Sequence, residues 1–122
     1  MKFHKIFLIA TLILGGCAVD NPEEFSSRTP AFTKTYPGTN AKDFAFCFAL
    51  NGNAIWLAQT PGENYRISIL GAGVGSILAV IQFTGSPTTV EIREGRSINP
   101  GWTYESIAPG IDECARKITT NP

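Results

Sequence analysis

The sequence predicts an α+β fold: a two-layer sandwich in which an antiparallel sheet of about four strands packs against an N-terminal and a C-terminal helix. Between Ala54 and Arg93 apolar residues recur with a period of two, broken by clusters of turn residues. That is the pattern of half-buried antiparallel strands. On either side the period lengthens to that of a helix, first over Ala41 to Phe48 and again over Ile107 to Ile118. At 122 residues the chain is long enough for one small core and a leader.

The first element is open to two readings. Phe44, Phe46, Phe48 and Leu50 alternate as in a strand, and Asn51-Gly52 is a favoured hairpin turn. A helix explains the ends better. Asn40 can cap its start with Asp43 three residues on; Ala41, Phe44, Cys47 and Phe48 fall on one stripe; and Gly52 can take the left-handed stop. In either case the phenylalanines are core residues before anything else.

Ala54 to Gln59 and Tyr65 to Leu70 read as a hairpin around Thr60-Pro61-Gly62-Glu63-Asn64, with Tyr65, Ile67 and Ile69 on one face and Arg66 and Ser68 on the other. Ile77 to Phe83 is apolar on both faces, which predicts a central strand. After the turn Gly85-Ser86-Pro87, Thr88 to Arg93 points Val90 and Ile92 inward and Glu91 and Arg93 outward. The stretch Gly71-Ala72-Gly73-Val74-Gly75-Ser76 invites a phosphate-binding reading, but its glycine spacing departs from the dinucleotide motif and a strand follows it. A permissive connector fits better. Gly95 to Glu105 is turn-rich until Trp102 and Tyr104, and covers one end of the sheet. The last helix carries Ile107, Ile111, Cys114, Ala115 and Ile118 on one stripe, with Ser106 as its cap, Pro109 in its first turn, and Arg116 and Lys117 in its last.

Before the domain, Lys2, His4 and Lys5 precede the apolar run Ile6 to Leu14, the charged and hydrophobic regions of an export signal. The run is too short to span a bilayer, which takes about 20 apolar residues. Leu14-Gly15-Gly16-Cys17 then resembles the lipobox of bacterial lipoproteins, a resemblance confined to the first 17 residues. It implies diacylglycerylation of the Cys17 thiol, cleavage before Cys17, and acylation of the new amino terminus by a fatty acid such as palmitate. Residues 1–16 are then a signal peptide. Ala18 stands where inner-membrane lipoproteins of enteric-type bacteria often carry Asp, so the resemblance implies an outer-membrane anchor with the domain facing the periplasm. The competing reading is an ordinary cleavable signal that contains a cysteine. Residues 17–38, with Pro22, Pro30 and Pro37 among serines and threonines, read as a lipidated flexible tether, and residues 39–122 as the globular domain.

With Cys17 lipidated, Cys47 and Cys114 remain as an even pair in an oxidising compartment and read as a structural disulfide tying the two helices. The alternatives are a nucleophilic thiol or a pair of metal ligands, and without a histidine either would be poorly equipped. His4, the only histidine, leaves with the signal. Its loss excludes Ser-His-Asp and Cys-His catalysis and His-containing zinc sites. No cofactor or metal site is predicted. The balance of 10 basic and 10 acidic side chains, without a basic cluster, argues against nucleic acid as a partner. Asp43, Glu63, Glu91, Glu94, Glu105, Asp112 and Glu113 show no spacing that pairs them as acid and base.

The sequence therefore predicts a noncatalytic, membrane-anchored envelope binding module whose partner is another envelope protein or peptidoglycan. A small carboxylate-dependent cell-wall hydrolase and a structural spacer are the alternatives. Candidate partner-binding residues are Arg93, Arg96, Trp102 and Tyr104, because arginine and aromatic side chains dominate interface hot spots and loops on a rigid sheet commonly carry recognition. The competing reading of Trp102 is a side chain packed against the helix or the sheet edge.

Overall fold

The computed structural model describes residues 22–50, 55–71, 76–95 and 102–120. Five antiparallel strands form one sheet: β1 (Phe32–Tyr36), β2 (Ile55–Thr60), β3 (Asn64–Leu70), β4 (Ile77–Thr84) and β5 (Thr88–Glu94), in the spatial order β1-β5-β4-β3-β2. β2 to β5 form a meander, and β1 adds itself to the free side of β5. The helices are α1 (Pro22–Phe25), α2 (Ala41–Leu50) and α3 (Tyr104–Thr120). α2 and α3 cover one face of the sheet, as the α+β reading requires, and α1 lies on the other.

The first element is a helix. Asn40 Oδ1 accepts from the Asp43 N–H at 2.9 Å while Asn40 Nδ2 donates to Asp43 Oδ2 at 2.8 Å, so cap and third residue hold each other. Ala41, Phe44 and Ala45 are buried. Phe46, off this stripe, sets its ring edge-on to Tyr65 at 5.6 Å between centroids. Gly52, expected to end the helix, lies outside the described residues.

β4 is central and uses both faces. Ala79, Ile81 and Phe83 enter the main core beneath the helices, where they meet Phe44, Ile67, Ile92 and Ile111. The pairing of β3 with β4 shifts between Ile69 and Leu70, so that Ile69 faces Ala79 and Leu70 faces Ile77. This irregularity brings Ile77 onto the same face as Val80. There they receive Phe25, which is 2 % exposed. Gly71 N–H donates to the Ser76 carbonyl at 3.0 Å, where β3 ends and β4 begins; residues 72–75 of the glycine-rich stretch, expected to be a connector, lie outside the described residues. Gly95 marks a close approach of backbones: its N–H donates to the Leu78 carbonyl at 2.8 Å, and a Cβ there would lie 2.5 Å from the Ile77 oxygen.

One departure from the sequence reading concerns the amino-terminal side. The stretch 17–38 is not a tether throughout, since α1 and β1 lie within it and the folded part includes Pro22 onward. β1 sends Phe32, Lys34 and Tyr36 toward α3: Phe32 stacks on Tyr104 at 6.2 Å, and Lys34 Nζ and Tyr36 Oη both reach Asp112 Oδ1, at 3.5 and 2.6 Å. Alternation is present, but its middle member is a lysine whose head stays in water, which hides the apolar period. β1 also brings the strand count to five.

A further departure is the start of α3, which lies at Tyr104 rather than after Ser106. Ile107 N–H donates to the Thr103 carbonyl at 3.1 Å, and Tyr104 N–H donates to Glu94 Oε2 at 2.8 Å. The cap comes from β5, ten residues earlier in the chain, instead of from a local hydroxyl. Pro109 consequently falls inside the helix. The Cys47–Cys114 disulfide joins α2 to α3 with their Cα atoms 5.9 Å apart.

Candidate functional site

Trp102 stands just ahead of α3, half-buried against the main core. With Phe48 of α2, Ile55 of β2, Ile69 of β3, and Gly110, Glu113 and Lys117 of α3, it lines an apolar crevice of about 300 Å³. Gly110 keeps the crevice open at its narrow side, because a Cβ there would approach the Phe48 ring to 3.3 Å. The disulfide runs between the residues next to Phe48 and Glu113, so it ties the α2 wall to the α3 wall. A cavity of this size is at the lower limit for small-molecule sites and accommodates one apolar side chain or a short apolar segment.

Of the other sequence-named residues, Tyr104 and Arg93 do not join Trp102. Tyr104 turns toward β1, where its ring stacks on Phe32 at an interplanar angle of 25°. Arg93 lies on the opposite face of the sheet: its Nε donates to the Arg28 carbonyl at 2.8 Å, and its Nη2 stands 3.5 Å from Glu91 Oε2. Strand alternation explains the separation, since Ile92 enters the helix-side core and Arg93 must face away from it. Arg96 lies outside the described residues. The crevice-lining residues that the sequence does not single out are Phe48, Ile55, Ile69, Gly110, Glu113 and Lys117. The first three carry only a core signal, and that signal does not reveal incomplete coverage.

Two further concavities are built differently. One, about 560 Å³, lies at the turn end of the sheet and is lined by Asn40, Lys42, Gln59, Glu63, Asn64, Tyr65 and Ser86, among others. Three of its polar side chains already serve the fold: Asn40 caps α2, Asn64 Nδ2 donates to the Pro61 carbonyl while its Oδ1 accepts from Gly85 N–H, and Ser86 Oγ donates to the Thr39 carbonyl. The third, about 270 Å³, lies beside α1 on the outer sheet face, with Arg66, Gln82, Thr84, Glu91 and Arg93 in its lining. Arg66 Nε is buried there without a hydrogen-bond partner.

Several carboxylates are held by structural partners. Asp43 belongs to the α2 cap, Glu91 pairs with Arg93, Glu94 caps α3, Asp112 accepts from Tyr36, and Glu113 pairs with Arg116 at 2.6 Å. The Tyr36 hydroxyl ionises well above its usual range. Burial is the main cause, followed by the hydrogen bond to Asp112 and the negative charge of that carboxylate. Among the described residues no group of three or more His, Cys, Asp or Glu side chains gathers to hold a metal, and no helix is long and apolar enough to cross a membrane.

No protein-family model matches the chain, and no curated protein or solved structure matches it.

Proposed function

We propose that the protein is a noncatalytic lipoprotein of a bacterial cell envelope, anchored through acylated Cys17 and probed by its partner at the crevice beside Trp102. The partner is another envelope protein that inserts an apolar side chain between α2 and α3. The observation that carries this reading is the crevice itself: its walls are apolar, it is held open by Gly110, and a covalent bond fixes the spacing of its two helices. An aromatic residue at the mouth of a small preformed apolar site is the usual anchor of an interface hot spot. Peptidoglycan, a polar polymer, is the weaker partner for such a surface, and Asn40 and Asn64 of the larger polar groove already serve the fold.

Support for the location comes from two separate features. The lipobox-like Leu14-Gly15-Gly16-Cys17 follows a basic start and an apolar run, and the Cys47–Cys114 disulfide suits an oxidising compartment such as the periplasm. Ala18 after the anchor cysteine favours the outer membrane. A wall hydrolase is the weaker reading, because Asp43, Glu91, Glu94, Asp112 and Glu113 have structural partners. The test is photocrosslinking in intact cells from a photoreactive residue at position 117, on the crevice rim. One discrete envelope protein is expected in the crosslink, lost in Trp102→Ala and in Gly110→Leu, which fills the crevice. Unchanged crosslinking in both folded variants would overturn the crevice as the site.

A further inference from the structure

Lipid attachment at Cys17, taken together with the fold, limits which face of the domain can meet the membrane. Pro22, the first described residue, sits over the outer face of the sheet, beside Arg66 of β3, Gln82 of β4 and Arg93 of β5, above the three middle strands. From Cys17 to Pro22 there are five Cα steps, a reach of at most about 18 Å even when fully extended. To turn the helix layer toward the bilayer, the link would have to run from mid-sheet to an edge, then past the sheet and helix layers, roughly 25 Å in all. The link is too short for that path. The same outer face carries Trp56, 53 % exposed on edge strand β2, and Leu70, 36 % exposed on β3. Trp56 pairs with Ser68, two residues from Leu70 on the same face of β3.

We propose that the outer face of the sheet lies on the phospholipid surface that holds the Cys17 acyl chains, with Trp56 and Leu70 entering the boundary between headgroups and acyl chains. This orientation rests on the reading of Cys17 as the lipid anchor. Tryptophan favours that boundary because its ring is apolar while its N–H finds hydrogen-bond partners there. Long-range charge attraction plays no part: Arg28, Arg66 and Arg93 on this side are matched by Glu23, Glu24 and Glu91. The contact is held by the short link and the two apolar side chains. It leaves the crevice at Trp102, on the helix side, facing away from the membrane and open to a partner.

The chain has two tryptophans, one on each side of the sheet, which makes the orientation measurable. Lipidated Trp102→Phe and Trp56→Phe proteins are reconstituted into phosphatidylethanolamine–phosphatidylglycerol vesicles with and without bromine on the acyl chains. Flotation reports anchoring, and bromine quenching reports contact. The orientation predicts that both proteins float, that Trp56 loses most of its emission to bromine, and that Trp102 keeps its own. The wild-type protein, which needs no substitution, then loses part of its emission. Floating protein whose Trp56 is as bright with bromine as without overturns the orientation and leaves the anchor standing, as does quenching of Trp102 instead. Wild-type protein that does not float overturns the anchor itself and the orientation with it.

Discussion

Glu94 accepts a hydrogen bond from the Tyr104 backbone N–H at 2.8 Å, so the last residue of β5 caps the final helix. The contact closes the loop between sheet and helix just where Trp102 must be placed. A carboxylate at a helix start satisfies an otherwise unpaired amide and meets the positive end of the dipole. Glu94→Ala is expected to cost about 1 kcal/mol, seen as a fall of about 4–8 °C in the thermal unfolding midpoint. Glu94→Gln, which retains an acceptor without the charge, is expected to lose less. Circular dichroism melts of the three proteins check the order.

The disulfide is expected to be a main support of the domain. It closes a long loop, a sequence separation of 67 residues, for which loop entropy gives roughly 4 kcal/mol. Alkylation of the protein recovered from cells, unfolded but not reduced, is expected to modify neither Cys47 nor Cys114. Reduction is expected to lower the melting temperature sharply. A free thiol at either position would contradict the pairing.

Tyr36 predicts a loss of stability in alkali. Its ionisation is raised in the folded state above the ordinary value of 10.0, so the folded chain holds this proton more tightly than the unfolded chain does. Its contribution is complete below pH 10.0 and is lost as pH rises through the folded-state value. Denaturant unfolding as a function of pH is expected to show stability declining above that point. In Tyr36→Phe this part of the decline disappears, and the lost hydrogen bond to Asp112 costs about 1 kcal/mol at neutral pH.

Trp102 is half-buried, so its truncation is expected to fall short of the 3–5 kcal/mol that a fully buried aromatic costs, at about 2 kcal/mol. Trp102→Ala therefore remains folded and loses the crosslinked partner. Gly110→Ala keeps the helix with better propensity but presses on Phe48, and is expected to weaken the same capture without unfolding the domain. Melting curves alongside crosslink yield separate the two effects.

The meander and the two long helices were legible in the sequence because their buried faces follow clean periods: Tyr65, Ile67 and Ile69 on β3, Val90 and Ile92 on β5, and Ile107, Ile111 and Cys114 on α3. β1 was not, since Thr33, Lys34 and Thr35 give it no apolar run and its pairing comes from β5, far along the chain. α1 was hidden for a similar reason: Phe25 is buried against Val80 and against Ile77, which only the shift near Leu70 brings onto the same face. Ser106 looked like a cap, but the helix takes its cap from Glu94, and no local pattern announces a partner supplied by another element. Of the candidate partner-binding residues, Trp102 is named from its type. Its separation from Arg93 follows from strand alternation before Gly95 and was available in principle. The crevice was not, because it depends on how closely Phe48, Ile55 and Ile69 meet across three elements.

Acylation of Cys17 is the claim on which both the location and the orientation rest, and metabolic labelling with a clickable fatty acid tests it most directly. Wild-type protein is expected to carry the label and to partition with the membrane fraction, while Cys17→Ser carries none and remains uncleaved or soluble. Equal labelling of wild type and Cys17→Ser, or no labelling of the wild-type protein, would contradict the account.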